Sequence, residues 1–328
     1  MPVSLSETLV VGISSTALFD LSKPDAIFRD LKEKDPDTAI EEYREYMLKT
    51  ENKPLQTGTG FPLVQALLSL NQYVAEKEPP ITEVVVMSQN SPETGVRILN
   101  SIRKENLSIS RSAFTAGESV TDYLKAFNVD LFLTTSEKDA QQVIDEGVCA
   151  AAVLSAPPSS PYSPDDSVRI ALDGDAVLFS EESEVVYQTD GLAAFHESED
   201  QAQDKPLPPG PYKQFLTALA SMQDRLPMRV EYSPVRIALV TARDSPAELR
   251  AIKTLRKWDV YVDMAFFLGG LNKGPVVEAF NPHIFFDDQD SHVESTRRQV
   301  PTGKVLYPTG SELYRLKQER EQKKPTSP

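Results

Sequence analysis

Short apolar runs separated by longer amphipathic stretches set the rhythm of this chain. In the second half the runs are Ile170-Ala171-Leu172, Val235-Arg236-Ile237-Ala238-Leu239-Val240, Ala265-Phe266-Phe267-Leu268 and His283-Ile284-Phe285-Phe286. Runs of this length and composition predict strands buried on both faces. Helical patterns lie between them, notably from Pro246 to Trp258. Strands alternating with helices predict an α/β fold, a Rossmann-like parallel sheet with right-handed crossovers.

Each run stops abruptly at polar residues. Asp173-Gly174-Asp175 follows the first and Thr241-Ala242-Arg243 the second. The third leads through Gly269-Gly270 to Lys273-Gly274, and the fourth ends in Asp287-Asp288. Open α/β sheets take their ligands at the C-terminal ends of the strands. Each polar group alone has an ordinary reading: Asp-Gly is turn chemistry, Thr241 fits a helix cap, and Lys273 fits a solvated surface charge. Four of them at four consecutive strand ends point to phosphoryl chemistry. Phosphate monoesters hydrolyse so slowly that their enzymes supply rate factors of up to about 10²¹. Asp173 suits a nucleophile that forms an aspartyl phosphate. Asp175 suits a group that protonates the leaving oxygen and then activates water. Asp173, Asp175, Asp287 and Asp288 are candidate Mg²⁺ ligands through hard carboxylate oxygens. Thr241, the adjoining Ala242 and Lys273 are the phosphate-binding candidates, and Lys273 would also keep Asp173 ionised. Spacing alone reaches a phosphomonoester hydrolase or phosphotransferase.

The order Asp-Gly-Asp-Ala-Val, then Thr after a strand, then Lys, then Asp-Asp resembles the four-motif signature of the haloacid dehalogenase-like phosphohydrolases. More narrowly, Phe179-Ser180-Glu181-Glu182-Ser183-Glu184, Leu239-Val240-Thr241-Ala242-Arg243, Lys253-Thr254-Leu255-Arg256 and Pro282-His283-Ile284-Phe285-Phe286-Asp287-Asp288-Gln289 resemble the cytosolic 5′-nucleotidase I family. Ser14-Ser15-Thr16-Ala17-Leu18-Phe19 and Gly95-Val96-Arg97 carry the resemblance into the first half, so that it covers most of residues 8–310. It implies Mg²⁺-dependent hydrolysis of nucleoside 5′-monophosphates, with AMP the typical substrate.

The first half reads as a degenerate copy of the second. Val10 to Phe19 parallels Ile170 to Phe179, and Val84-Val85-Val86-Met87-Ser88 parallels Ile237 to Thr241. Ala113 to Asn128 parallels Ala265 to Asn281, and Leu131-Phe132-Leu133-Thr134-Thr135 parallels Ile284 to Asp288. The apolar frame is kept while the aspartates become Ser or Thr and the lysine is lost. The expected arrangement is two sheets, or one extended pair of half-domains, with one live site. The first copy would shape the substrate cleft, a dimer contact or a regulatory nucleotide site. Ser88 and Asn90 at its strand end, together with Arg243, are the nucleotide-binding candidates.

Composition narrows the partners. The 328 residues carry 34 Lys and Arg against 49 Asp and Glu, a net charge of −15. That balance disfavours nucleic acid and membrane surfaces, and Lys273 and Arg243 become the candidates for a local positive pocket. Cys149 is the single cysteine; it excludes an intrachain disulfide, fits a reducing cytoplasmic compartment, and sits in a segment that reads as buried and apolar. No signal peptide or membrane-length apolar span is read, and no Gly-rich Walker loop. The three histidines, His196, His283 and His292, form no spaced zinc set; His283 and His292 read as packing or capping residues. The expected partner is a nucleoside monophosphate, with a homo-oligomer left open.

The expected boundaries are a degenerate half over 1–164, a catalytic half over 165–312 and a charged tail over 313–328. The Pro/Ser-rich stretch from Pro157 to Pro164 reads as the linker, and residues 181–232 as an insertion of cap type over the site. Two other functions remain at this stage: a phosphatase or phosphotransferase for another small phosphomonoester such as a sugar phosphate, and a receiver-like or nucleotide-sensing module. Motif order weighs against the second, because a receiver's acidic pair precedes its phosphorylated Asp.

Overall fold

The computed structural model describes residues 5–35, 37–75, 78–158, 167–226 and 233–323. Most of the expected linker (159–164), the end of the expected insertion (227–232) and the end of the tail (324–328) lie outside the described residues.

Among the described residues the apolar runs assemble into one ten-stranded sheet. Its strands are β1 (Leu9–Ser14), β2 (Thr82–Ser88), β3 (Arg111–Phe114), β4 (Leu131–Thr134), β5 (Ala150–Leu154), β6 (Val168–Leu172), β7 (Val235–Thr241), β8 (Met264–Phe267), β9 (Ile284–Asp287) and β10 (Thr302–Lys304). They lie in the order β8-β7-β6-β9-β10-β5-β4-β1-β2-β3. The first five strands are therefore arranged 3-2-1-4-5, and the second five repeat that arrangement as 8-7-6-9-10. Neighbours are parallel within each set. The sets meet at β5 and β10, which pair antiparallel with Gly303 opposite Leu154.

That single antiparallel seam decides where the chemistry can lie. The C-terminal ends of β6, β7 and β9 share one edge of the sheet, and those of β1, β2 and β4 share the opposite edge. The two candidate rims therefore face in opposite directions. The sheet is one body rather than two, and a single apolar cluster on one face joins the halves: Ile13, Val84, Leu63 and Leu67 belong to it, as do Ile170, Leu172, Phe215 and Phe286.

The expected insertion, described as far as residue 226, packs into the core. The helix Lys213–Gln223 buries Phe215, Leu216, Leu219 and Met222, and the preceding Tyr212 ring packs 4.9 Å from Phe286 of β9. Each such burial stabilises the fold by roughly 1.5–3 kcal/mol. The helix Glu182–Gln201 is broken at Gly191, whose φ of 86° and ψ of 179° suit glycine alone, so its second part, with Phe195 and Glu199, turns in toward the sheet. The expected tail is docked as well. Glu181 accepts from the backbone N–H groups of Glu312 (2.9 Å) and Leu313 (3.1 Å), capping the helix Glu312–Lys323, and Leu313 is buried.

Candidate active site

The sheet register brings the first and last motifs side by side. Leu172 of β6 lies opposite Phe286 of β9 and Leu239 of β7, so the residues that follow these strands converge. Asp173 N–H donates to Phe286 O (2.9 Å). Its side chain turns back to accept from Gly174 N–H at 2.7 Å. The chain then doubles back sharply: Ala176 takes a left-handed φ of 58°, an uncommon conformation for a residue with a Cβ, and Phe179 N–H closes the turn on Gly174 O (2.9 Å).

Lys273 ties the motifs together. It stands just before the helix Gly274–Phe280 and is wholly buried. Its Nζ lies 2.7 Å from Asp173 Oδ1 and 2.7 Å from Asp287 Oδ2. Burial works against its charge, but the two carboxylates outweigh burial and hold the ammonium above its ordinary range. Burial pushes Asp173 up to about 6 despite Lys273. Asp287 is held below the usual carboxylate range: Lys273 and His292 overcome the desolvation that opposes them. Asp287 Oδ1 also accepts from Gln289 N–H (2.9 Å) and faces His292 Nδ1 at 3.2 Å. Asp288 is buried beside it. Tyr307 OH donates to its Oδ2 (2.5 Å), and its Oδ1 has no hydrogen-bond partner among the described residues. Desolvation drives this carboxyl well above its ordinary value.

Ligating atoms of Asp173, Asp287 and His292 come within 4.8 Å of one another. Asp288 Oδ1, buried and unpaired, is the further oxygen that a cation would satisfy. The donor set is dominated by hard carboxylate oxygens, which suits Mg²⁺.

Thr241 ends β7 and is buried; its hydroxyl accepts from Arg243 N–H at 3.3 Å rather than capping the next helix. A side chain added at Gly174 would meet Thr241 Oγ1 at 3.1 Å, so glycine keeps that hydroxyl open. Ala242 is exposed beside it. Asp175 does not join the carboxylate cluster. Both its oxygens are taken by Arg243, from Nε at 2.8 Å and Nη2 at 2.6 Å. Arg243 in turn is buried against Glu199 (2.5 Å), so it presents no free positive charge to a phosphate or a base.

Ser88 and Asn90 sit on the opposite edge of the sheet, at the end of β2. The hydroxyls of the first half satisfy one another there. Ser15 Oγ lies 3.0 Å from Ser88 Oγ, Ser14 Oγ lies 3.0 Å from Thr16 Oγ1, and Thr135 donates to Thr16 (2.6 Å). By strand register Ser15 stands level with Ser88 as Gly174 does with Thr241, one residue along from the parallel read in the sequence. Ser88 and Asn90 therefore lie away from Asp173, whereas the first-half helix Glu137–Asp145 does reach the Asp288 side of the sheet, where Gln141 Nε2 donates to Tyr307 O at 2.9 Å.

Sequence reasoning assigned His292 to packing or capping and passed over Tyr307 and Glu199. His292 carried a usable signal, since it follows Asp287 by little more than one helical turn. Tyr307 and Glu199 arrive through β10 and the broken inserted helix, neither of which has a local pattern pointing to the site. His283 is structural: its Nδ1 accepts from Arg169 N–H at 3.1 Å. Burial pushes the Cys149 thiol up to about 12, which leaves it inert.

Residues 1–312 match the model of the 5′-nucleotidase family. This chain belongs to the 5′-nucleotidase family. Human cytosolic 5′-nucleotidase 1B is 34% identical to it over 303 residues, which is 90% of this chain and 48% of that protein. The chain thus spans about half the length of the curated relative it matches. No solved structure matches it. No helix among the described residues is long and apolar enough to cross a membrane.

Proposed function

We propose that this chain is a Mg²⁺-dependent 5′-nucleotidase that hydrolyses nucleoside 5′-monophosphates, AMP foremost, through an aspartyl phosphate at Asp173. The observation that carries the reading is the buried Lys273 bridging Asp173 and Asp287 at 2.7 Å each, beside the unpaired oxygen of Asp288. One buried ammonium cannot neutralise three buried carboxyl groups, and a divalent cation supplies what is missing. Asp173, Asp287 and Asp288 would hold it, with His292 steadying Asp287. Mg²⁺ bound there would neutralise charge on the phosphoryl oxygens.

The protein's own residues divide the work as follows. An Asp173 oxygen forms a bond to phosphorus while the bond from phosphorus to the 5′-oxygen breaks. The electron pair of that bond leaves with the 5′-oxygen, which takes a proton from the Asp175 carboxyl group. In the second step water attacks phosphorus, Asp175 accepts its proton, and Asp173 is released with free phosphate. Thr241 hydroxyl and Lys273 ammonium stabilise the charge that builds on the phosphoryl oxygens.

The same reading treats 165–312 as a catalytic half of haloacid dehalogenase-like type and 1–164 as its degenerate duplicate. The repeated 3-2-1-4-5 strand order supports the duplication. The name of the human relative supports a cytosolic setting.

Phosphate release from AMP, IMP, CMP and a sugar phosphate, with Mg²⁺ and with excess EDTA, tests the proposal. Mg²⁺-dependent release favouring nucleotides is expected. Release from the sugar phosphate alone would leave the chemistry standing and remove the nucleotide assignment.

A further inference from the structure

Asp175 does not stand free at the rim. Arg243 grips it with two N–H···O contacts, one to each oxygen, 2.8 Å from Nε and 2.6 Å from Nη2, the two-point pairing that fixes a carboxylate in direction as well as distance. Arg243 itself is anchored from behind. Its Nη1 donates to Glu199 Oε2 at 2.5 Å, and its guanidinium lies 5.5 Å from the Phe195 ring centre and 5.7 Å from that of Phe179. Glu199 is saturated in turn: Arg250 Nη1 (2.8 Å) and Ser183 Oγ (2.7 Å) both donate to its Oε1. The side chains of Arg243 and Glu199 are each 1% exposed. Two cations and two carboxylates thus alternate in a chain from Arg250 to Asp175, with no like charges adjacent. Glu199 and Ser183 both lie on the inserted helix Glu182–Gln201, Arg250 on the helix Ala247–Lys257, and Asp175 on the turn after β6.

We infer that Arg243 and Glu199 are positioning residues: the inserted helix, through Glu199 and then Arg243, holds the Asp175 carboxyl where it exchanges a proton with the leaving oxygen. The inference rests on the function proposed above. Both Asp175 oxygens are engaged by Arg243, so the fork sets the direction in which the carboxyl group faces. A carboxyl group freed from the fork would sample several rotamers and spend little time in line with the 5′-oxygen. The three linked ion pairs suit a role in conformational specificity, one of the uses of buried ion pairs.

The test compares two substrates with the same nucleoside and phosphoryl group. One is AMP. The other carries a bridging sulfur at the 5′ position, and its thiolate leaves without needing a proton. Glu199→Gln keeps the size of the side chain while loosening Arg243; Arg243→Lys keeps the charge but removes the fork. Both variants should lose on the order of 10² or more in kcat on AMP, the scale of lost proton transfer. On the sulfur analogue kcat should change by less than about fivefold, and KM for AMP should stay within about threefold of wild type. Equal losses on both substrates, or no loss on either, would overturn the inference while the proposed function stands. A wild-type protein that releases phosphate from neither substrate overturns the proposed function first. Should Glu199→Gln fail to fold, Arg250→Lys loosens the same carboxylate from its other side and is judged by the same selectivity.

Discussion

Replacing Lys273 by Met probes stability and catalysis together, because the ammonium sits between two carboxylates and all three groups are buried. Met preserves length and removes the charge. At 2.7 Å from each oxygen, a unit pair in an effective dielectric of about 20 has a gross attraction of roughly 6 kcal/mol. Most of that offsets the desolvation of the ions. Removal of one member of a buried pair leaves a net loss of about 3–5 kcal/mol. The loss falls on Asp173 and Asp287, which are left facing each other across the gap. Denaturant unfolding of the metal-free variant should therefore show a large drop in midpoint. Saturating Mg²⁺ should recover a substantial part of it, since the cation replaces the missing positive charge at the same carboxylates. Turnover should fall by on the order of 10²–10³ even with Mg²⁺, as for loss of one oxyanion donor. An unchanged midpoint in the metal-free variant would refute the electrostatic account of Lys273, and so would a drop that Mg²⁺ leaves untouched.

Other consequences are equally direct. Gly174→Ser would place a hydroxyl on Thr241, copying the Ser15–Ser88 contact of the first half; turnover should fall by about 10² or more with little change in the unfolding midpoint, and normal turnover would remove Thr241 from the phosphate cradle. Asp173 is raised from 3.8 to about 6 in the folded, metal-free protein. The stability it contributes is thus complete below the unfolded value and is lost as pH rises through about 6. Mg²⁺ competes with that proton, so its affinity measured by titration calorimetry should weaken as pH falls through the same window; equal affinity on both sides of it would contradict the assignment of Asp173 as a ligand. Ser88→Ala and Asn90→Ala should leave AMP turnover and KM unchanged, because both residues lie on the far edge of the sheet; a large rise in KM would place them in the substrate site after all.

Much of this arrangement can be read along the chain, and the part that cannot has a common cause. Strands β6, β7 and β9 announce themselves because burial on both faces demands continuous apolar runs, and the polar residues that end them have nowhere to point but the rim; the edge strand β8 is only partly buried. Asp173, Thr241 and Asp287 are placed at the rim by that alone, while Lys273 reaches it from a loop six residues beyond β8. The seam between the halves does not. It is made by β10, three residues reading Thr302-Gly303-Lys304 with no apolar pattern, and its antiparallel sense is what sends Ser88 and Asn90 to the other edge. Arg243 looked like a free positive charge because Glu199, its partner, lies 44 residues away in sequence beyond a glycine break that no periodicity reveals. Tyr307 likewise reaches Asp288 through a non-local turn. Local chemistry was visible wherever a strand end fixed it, and invisible wherever two distant segments had to meet.

The central claim is that Asp173 attacks phosphorus. Rapid acid quenching of the wild-type protein during turnover of AMP labelled in its phosphoryl group tests it most directly, followed by mapping of the labelled peptide. The account predicts a base-labile acyl phosphate on Asp173, absent from Asp173→Asn, with turnover abolished in that variant and its fold intact. Label on another residue, or wild-type turnover in Asp173→Asn, would contradict it.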